Sequence, residues 1–135
     1  MLLFAPLGLA LLLEQSDRNK EDLALLERIQ RRDEQAFSKL YDRYASLLYT
    51  LTLRIVSTAE EAEDVLQEVF LQVWNKSSSY MKERGTVYSW VVSLTRNKAI
   101  DRVRSKRYKQ QSKEGKLDEA QSVMDAIENE VRMKT

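Results

Sequence analysis

A 3–4 spacing of apolar residues between Phe37 and Ile55 constrains the fold more than any other feature of this sequence. In a helix these residues share one side: Phe37, Leu40, Tyr41, Tyr44, Leu47, Leu48, Leu51 and Ile55. An apolar stripe of this period has to be buried against other elements. Asp33, a residue type that caps helix N-termini, precedes the segment. With three glycines and one proline in 135 residues, the sequence favours long helices over a many-stranded sheet.

Apolar spacing predicts two more helices of the same simple kind. One covers about residues 20–31, and its apolar side consists of Leu23, Leu26 and Ile29. The other begins at Thr58, which is followed three residues later by Glu61, as in a capping box. Its acidic first turns suit the positive end of the helix dipole. Its apolar stripe consists of Ala62, Val65, Leu66, Val69, Phe70, Val73 and Trp74.

A fourth helix is predicted over Thr86–Lys109, after a serine- and glycine-containing loop at 75–86. One set of its apolar residues shares a face: Val87, Trp90, Val91 and Leu94. A second set falls on roughly the opposite face: Val92, Ala99, Ile100 and Val103. Either this helix is buried on two sides, or one set of residues contacts another partner.

The two ends of the chain differ in character. Residues 1–13 are apolar but too few to cross a bilayer, which takes roughly 20 residues of helix. They also lack the basic start of a secretory signal, so we expect no stable membrane insertion and a cytoplasmic chain. We predict an N-terminal extension at 1–19, a domain at 20–109, and a polar tail at 110–135 that is a linker or a loosely attached helix.

Composition argues against most enzyme classes. The sequence has no cysteine and no histidine, which excludes a thiol nucleophile, a Cys/His zinc site and histidine-based acid–base catalysis. Carboxylate chemistry at Glu60, Glu61, Glu63 or Asp64 is the remaining enzymatic alternative. Because nothing in the sequence places a nucleophile or a metal beside them, we predict a protein that is not an enzyme.

The net charge of +1 conceals two blocks of opposite sign. Thr58–Glu68 contains five acids and no base, whereas Thr95–Lys109 contains seven basic residues and one acid. Separate blocks of this kind favour two surfaces with different partners, and two solvated helix faces are the alternative.

The basic helix is a candidate nucleic-acid surface, because Lys and Arg neutralise phosphates. Aromatic and basic residues alternate just before it: Tyr80, Lys82, Arg84, Tyr88 and Trp90. Rings of this kind stack on unpaired bases while cations hold the backbone, which favours single-stranded or melted nucleic acid. The alternative is that Tyr88 and Trp90 belong to the core and the loop is merely polar.

Three segments between Asp33 and Tyr108 carry a family resemblance. They are DEQAFSKLYDRYASLLY, AEEAEDVLQEVFLQVW and ERGTVYSWVVSLTRNKAIDRVRSKRY, in this order and at this spacing. Together they resemble conserved region 2 of the extracytoplasmic-function (ECF) sigma factors, the promoter-specificity subunits of bacterial RNA polymerase. The resemblance implies an all-α domain, which we expect to be a compact bundle of about four helices with a polar C-terminal tail.

The resemblance implies that the third helix binds the clamp helices, a coiled coil of the polymerase β′ subunit. The residues at the family's contact positions are Asp64, Gln67, Glu68 and Leu71. An acidic patch with an apolar rim suits a basic helical partner. The alternatives are a role in the helix dipole for Asp64 and a place in the core for Leu71.

The resemblance also implies that the loop and the fourth helix recognise and melt the −10 promoter element. In the family the loop captures a base flipped out of the non-template strand, and the helix contacts DNA just upstream. Trp90 corresponds to a tryptophan at the upstream edge of the melted region. The predicted DNA-binding residues are Tyr80, Lys82, Arg84, Tyr88, Trp90, Arg96, Asn97, Lys98, Arg102, Arg104 and Arg107.

The family's region 4, which reads the −35 element, does not occur in these 135 residues. We therefore expect a fragment that ends inside the linker toward region 4, and a natural short form is the alternative. The resemblance implies a transcription initiation factor without a cofactor, and it adds an anti-sigma factor as a further partner. The alternative is a helical protein-interaction module whose basic face is only solvated.

Overall fold

The computed structural model of the protein describes residues 5–134, including the side chains of residues 8–133. Its α-helices are α1 (Ala5–Gln30), α2 (Glu34–Val56), α3 (Ala59–Lys76) and α4 (Val87–Lys134). Two one-turn 3₁₀ helices, Ser77–Ser79 and Lys82–Arg84, connect α3 to α4. The described residues contain no strand, so the all-α prediction is confirmed.

The chain divides into two units between Ile100 and Asp101. The first unit contains α1, α2, α3, both 3₁₀ helices and the beginning of α4. The second unit consists of the rest of α4.

A tight corner joins α1 to α2 and is fixed by hydrogen bonds at Asp33. The Asp33 carboxylate accepts from the backbone N–H groups of Gln35 at 3.0 Å and Ala36 at 3.3 Å, and from Arg28 Nε at 2.8 Å. Arg32, one residue earlier, has a φ of 66°. The predicted N-cap is confirmed, and it ends a turn that requires one residue in the left-handed region.

The corner between α2 and α3 uses a second left-handed residue. Ser57 has a φ of 77°, and its N–H donates to the Leu53 carbonyl at 3.1 Å, which satisfies one of the last carbonyls of α2. Thr58 then caps α3, because its hydroxyl oxygen accepts from the Glu61 N–H at 3.3 Å. The threonine cap expected from the sequence is confirmed.

The core of the first unit is built from one row on each of α2 and α3. On α2 the buried row has a strict spacing of four: Ala36, Leu40, Tyr44, Leu48, Thr52 and Val56. The predicted stripe is therefore partly wrong, since Tyr41 and Leu47 are more than 40% exposed. The predicted stripe of α3 is confirmed in full as buried or half-buried side chains. Leu26 and Ile29 of α1, which packs against α2, are also fully buried.

The apparent two faces of α4 have a simple cause. Its buried residues are Val87, Val91, Thr95 and Ala99, which also follow a spacing of four. Such a row drifts around the helix by about 40° per step, so it passes from the first predicted set to Ala99 of the second. Thr95, which satisfies its hydroxyl by donating to the Val91 carbonyl at 2.7 Å, is the polar link that the apolar pattern missed.

Two helices are longer than the sequence pattern predicted. α1 begins at Ala5 rather than near residue 20, because the polar stretch 16–22 lies mostly on exposed helix surface and does not interrupt it. α4 continues to Lys134 rather than ending near Lys109, although every side chain from 104 to 133 is exposed. Among the described residues no helix has the length and apolar character needed to span a membrane.

Candidate functional site

The outer side of α3 presents the predicted acidic patch. The residues of this patch are all exposed: Asp64, Gln67, Glu68 and Leu71. Their spacing of three and four residues places them on one helix face, opposite the buried row. We call this set the α3 outer face.

The exposure of Leu71 distinguishes between its two interpretations, a place in the core and a place on a docking surface. A core role requires burial, but its side chain is 60% exposed, whereas Val69 and Val73 on either side are fully buried. An exposed leucine beside three polar residues fits the apolar part of a docking surface.

The C-terminal end of α3 is anchored to the α1–α2 corner. Arg32 Nη1 donates to the Trp74 carbonyl at 2.8 Å, and its guanidinium lies 5.2 Å from the centre of the Trp74 ring. The Phe37 ring packs edge-to-face against the Trp74 ring at a centroid distance of 5.3 Å. The ends of α3 are therefore held independently of its outer face.

The loop before α4 is organised around Tyr80. Its hydroxyl donates to the Gly85 carbonyl at 2.6 Å, and its ring lies 5.7 Å from that of Trp90 in an edge-to-face arrangement. Gly85 has a φ of +136°, and a Cβ there would lie 2.9 Å from Ser89 Oγ, so the turn requires glycine. Burial, and to a lesser extent the Glu83 carboxylate, raises the pKa of the Tyr80 hydroxyl above its ordinary value.

The loop cations Lys82 and Arg84 are exposed, as a phosphate contact requires. We call these two cations and the half-buried rings of Tyr80 and Trp90 the Tyr80–Trp90 surface.

The predicted loop aromatics do not form a single cluster. Tyr88 is 51% exposed and its ring lies 6.2 Å from that of Tyr44 of α2, not beside Tyr80 or Trp90. At 100° per residue, positions 88 and 90 point to nearly opposite sides of α4. Tyr88 therefore lies on a different side of α4 from the ring pair of Tyr80 and Trp90.

A buried polar network, which sequence reasoning missed, lies on the Tyr88 side. Asp22 of α1 is 1% exposed, and it accepts hydrogen bonds from the Tyr44 hydroxyl and from Arg43 Nε, the latter at 2.7 Å. Burial and the hydrogen bond to Asp22 raise the pKa of Tyr44 far above its usual value. Arg43 Nη1 also donates to Glu21 at 2.9 Å.

The same end of α1 supports the start of α4. Asn19 Oδ1 accepts from the Val87 N–H at 3.1 Å, across 68 residues of sequence. No local signal could have predicted this contact. An acid within the apolar stripe of α1, as Asp22 is, was the one available hint of a buried network.

The basic residues of α4 are accessible. In the first unit Arg96 and Asn97 are exposed and Lys98 is half-buried. In the second unit Arg104 and Arg107 are exposed and Arg102 is half-buried.

The second unit has a marked charge asymmetry of its own. Residues 101–113 contain six bases and one acid, whereas residues 114–131 contain six acids and one base. Its acidic half also carries exposed apolar residues: Leu117, Val123, Met124, Ile127 and Val131.

Comparison with known proteins gives a consistent result. The family model described as Sigma-70 region 2 matches residues 40–108, which is 69 of the 135 residues. The chain is 37% identical over 81 residues to the ECF RNA polymerase sigma factor SigK of Mycobacterium sp. (strain KMS), covering 60% of this chain and 42% of the relative.

Two further relatives have the same printed name. The protein of Mycolicibacterium vanbaalenii is 37% identical over 82 residues, with 61% of this chain and 42% of the relative covered. The protein of Mycobacterium tuberculosis (strain CDC 1551 / Oshkosh) is 33% identical over 81 residues, with 60% and 43% covered. The chain thus spans about two fifths of the length of the curated relatives it matches.

Proposed function

The chain belongs to the sigma-70 region 2 family, in its ECF branch, and we propose that it acts in transcription initiation by binding core RNA polymerase and the −10 promoter element. Sigma factors are initiation factors rather than enzymes. The observation that carries the proposal is that residues 40–108, which match the family model, contain two separate surfaces of opposite charge. An acidic face lies on α3, and an aromatic and basic surface precedes and begins α4.

The α3 outer face is the proposed polymerase-binding surface. Its acids suit a basic partner, and the exposed Leu71 supplies apolar area that such a contact can bury. None of the four side chains belongs to the buried core, so substitutions there test binding without unfolding the domain. The family resemblance makes the β′ clamp helices the expected partner.

A binding measurement with core RNA polymerase tests this surface. We expect tight binding by the whole chain and a loss of about 10-fold or more in the Asp64→Ala, Gln67→Ala double variant. The matched control is Gln35→Ala, Asp42→Ala, which removes the same residue types from exposed positions of α2. Equal affinity in the two double variants would overturn the assignment of the α3 outer face.

The Tyr80–Trp90 surface is the proposed site for the melted −10 strand. An edge-to-face pair of half-buried rings beside exposed Lys82 and Arg84 suits a base held by stacking and a backbone held by charge. Capturing a flipped base compensates for the stacking that the base loses on leaving the duplex. Asn97 can read a base edge, whereas the Arg and Lys side chains of α4 contact the backbone.

Promoter melting by the assembled polymerase tests this surface. We expect Trp90→Leu to reduce the fluorescence rise of 2-aminopurine placed in the −10 element, with polymerase binding retained. Tyr41→Leu is the control, because Tyr41 is a partly exposed tyrosine on α2 outside both surfaces. Unchanged melting in Trp90→Leu would rule out the stacking role.

A protein-interaction module is the second candidate function. The observation that favours it is the row of exposed apolar residues in the second unit, which ordinary solvation does not explain. Salt separates the two functions, because DNA binding weakens steeply with ionic strength and an apolar contact does not. For the sigma-factor function itself, the family resemblance adds an anti-sigma factor as a protein partner, which would compete with polymerase for the α3 outer face.

A further inference from the structure

We propose that the second unit is a self-association helix, which pairs with the second unit of another copy of this chain as an antiparallel coiled coil. The unit spans Asp101–Thr135 and is helical as far as Lys134. The inference takes up the protein-interaction function, the second candidate above, and names its partner. It does not depend on the proposed binding of polymerase or DNA.

The exposed apolar residues of the second unit follow a heptad spacing. Separations of three and four residues alternate along Leu117, Ala120, Met124, Ile127 and Val131, a set that we call the heptad row. The four large side chains of this row are 58–69% exposed. Alternating separations of three and four place residues at positions a and d of a coiled coil, along which one helix packs against another. The heptad row therefore fits a second helix.

The second unit lacks the packing that normally stabilises a helix. Every side chain from 104 to 133 is exposed. In folded proteins most of the stability of a helix comes from packing one of its faces against other elements, rather than from the propensities of its residues. A second helix on the heptad row supplies this packing.

The charges of the second unit select a second copy as the partner. Its basic half, residues 101–113, has six bases and one acid, and its acidic half, residues 114–131, has six acids and one base. An antiparallel pair places the basic half of each copy against the acidic half of the other, whereas a parallel pair brings like charges together. The two halves of one copy cannot meet, because α4 runs without a break through Gly115 between them. The complementary half therefore comes from another copy.

One register satisfies the heptad row along the whole overlap. Leu117 of one copy faces Ala120 of the other, and two-fold symmetry repeats this pair. The overlap then covers residues 103–134, which is 32 residues or more than four heptads and long enough for a coiled coil. Farther from the symmetry axis, each apolar residue of the heptad row meets a long polar side chain at an a or d position of the basic half: Met124 meets Lys113, Ile127 meets Gln110, and Val131 meets Lys106. Lysine stems cover apolar surface while their ammonium groups stay in water.

The same register pairs opposite charges beside the heptad row. In an antiparallel coiled coil, position e of one helix faces position e of the other, and position g faces position g. Here Arg107 faces Glu128 at the e positions, and Lys109 faces Glu130 at the g positions. Within this overlap no like charges face each other at the e and g positions. Because charges at these positions set partner choice and orientation, they favour the antiparallel pair.

Sedimentation velocity of the whole chain over a range of concentrations tests the inference. We expect a monomer–dimer equilibrium, and we expect Met124→Ser to weaken the dimer about 10-fold or more, because the dimer buries this residue twice. The matched control is Met133→Ser, since Met133 is 88% exposed on the same helix but lies outside the heptad row. A monomer at every concentration, or equally stable dimers in the two variants, would overturn the proposal.

An exchange of charges tests the orientation of the two helices. One variant carries Arg107→Glu with Lys109→Glu, and a second carries Glu128→Arg with Glu130→Lys, so each places like charges opposite one another in its own dimer. We expect each variant alone to be monomeric at concentrations where the unchanged chain is a dimer. We expect a mixture of the two to form a mixed dimer, because every reversed charge then meets an opposite one. Dimers of either variant alone, or no association in the mixture, would contradict the antiparallel register.

Polymerase affinity, measured on the same samples, keeps this inference apart from the proposed function. A monomer that binds core polymerase tightly would overturn self-association and leave the proposed function standing. A dimer that is lost in Met124→Ser, in a chain that binds no polymerase, would support self-association and contradict the polymerase part of the proposed function. The exposed leucines of α1 are the competing interface. A dimer that persists in Met124→Ser but is lost in Leu12→Ser would place the contact on α1, and the assignment to the second unit would be wrong.

Discussion

Helices α3 and α4 begin in the same way but depend on different parts of the protein. In each, a threonine accepts from the third helical N–H: Thr58 from Glu61 at 3.3 Å, and Thr86 from Ser89 at 3.1 Å. The start of α4 also has a long-range cap, which Asn19 of α1 supplies.

This difference bears on function. The α3 outer face needs little beyond α3 and the buried row behind it. The start of α4 is held by α1 and α2, through the Asn19 bond and the Asp22 network, so its geometry is set by residues far away in sequence. Substitutions in α1 should therefore disturb the proposed DNA surfaces and spare the proposed polymerase surface.

The largest effect on stability is expected from a substitution of Asp22, the centre of the buried network that it forms with Arg43 and Tyr44. Asp22→Leu leaves Arg43 and Tyr44 without their buried partner, and we expect the free energy of unfolding to fall by about 3 kcal/mol. Urea denaturation measures it. Glu21→Leu is the control, because Glu21 bonds the same Arg43 from a side chain that is 65% exposed, and we expect a change within about 1 kcal/mol. Similar losses of stability in both variants would show that the buried Asp22 contributes no more than the exposed Glu21.

Substitutions of Val69 and Leu71 in α3 are expected to affect different properties, the first stability and the second polymerase binding. Val69 is fully buried, so Val69→Ala should lower the free energy of unfolding by about 2 kcal/mol. Leu71 is exposed, so Leu71→Ala should change the stability by less than about 0.5 kcal/mol but weaken polymerase binding. Urea denaturation and polymerase affinity, measured on both variants, check the pair. A large loss of stability in Leu71→Ala would show that Leu71 belongs to the core.

The same comparison shows what the sequence can reveal. The stripe of α3 was correctly predicted because one neighbouring layer covers one face, so apolar character and burial coincide. In α4 they do not coincide: Thr95 is buried with its hydroxyl bonded inside the helix, and Tyr88 is half-exposed. The spacing of apolar residues identifies the buried face only where the same side of the helix stays buried along its whole length.

The candidate sites divide along the same line. The exposure of the α3 outer face follows from its place opposite the apolar stripe, which sequence spacing gives directly. The Tyr44–Tyr88 contact and the Asp22 network behind it could not be predicted, because their residues on α1, α2 and α4 meet only in the fold. For the tail at 110–135 the sequence left a linker and a loosely attached helix as alternatives, and in the structure its residues up to Lys134 are helical, with exposed side chains.

The two kinds of cap allow a finer test. We expect Thr58→Ala and Asn19→Ala each to cost about 1 kcal/mol of stability, but to act at different places. Asn19→Ala should speed hydrogen exchange at the Val87 amide, whereas Thr58→Ala should speed it at the Glu61 amide. Asn19→Asp keeps an acceptor at the positive end of α4, so it should restore the protection of Val87. Failure of this rescue would mean that Asn19 acts through something other than its bond to Val87.

The smallest expected effect is a dependence on pH that α2 has and that the threonine caps of α3 and α4 do not. Asp33 caps α2 with a carboxylate, and the hydrogen bond from Arg28, followed by that from the Ala36 N–H, lowers its pKa from the ordinary 3.8. A lowered pKa in the folded state means that Asp33 contributes stability above its unfolded-state pKa. This contribution is lost as the pH falls through the folded-state pKa, below about 4. Asp33→Asn keeps an oxygen for both backbone N–H groups but loses the charge opposite Arg28. We therefore expect the stability gap between the protein and this variant, measured by urea denaturation, to be widest near neutral pH and to shrink below about pH 4. A gap that stayed constant down to pH 3 would show that Asp33 acts as a neutral acceptor, as the two threonines do.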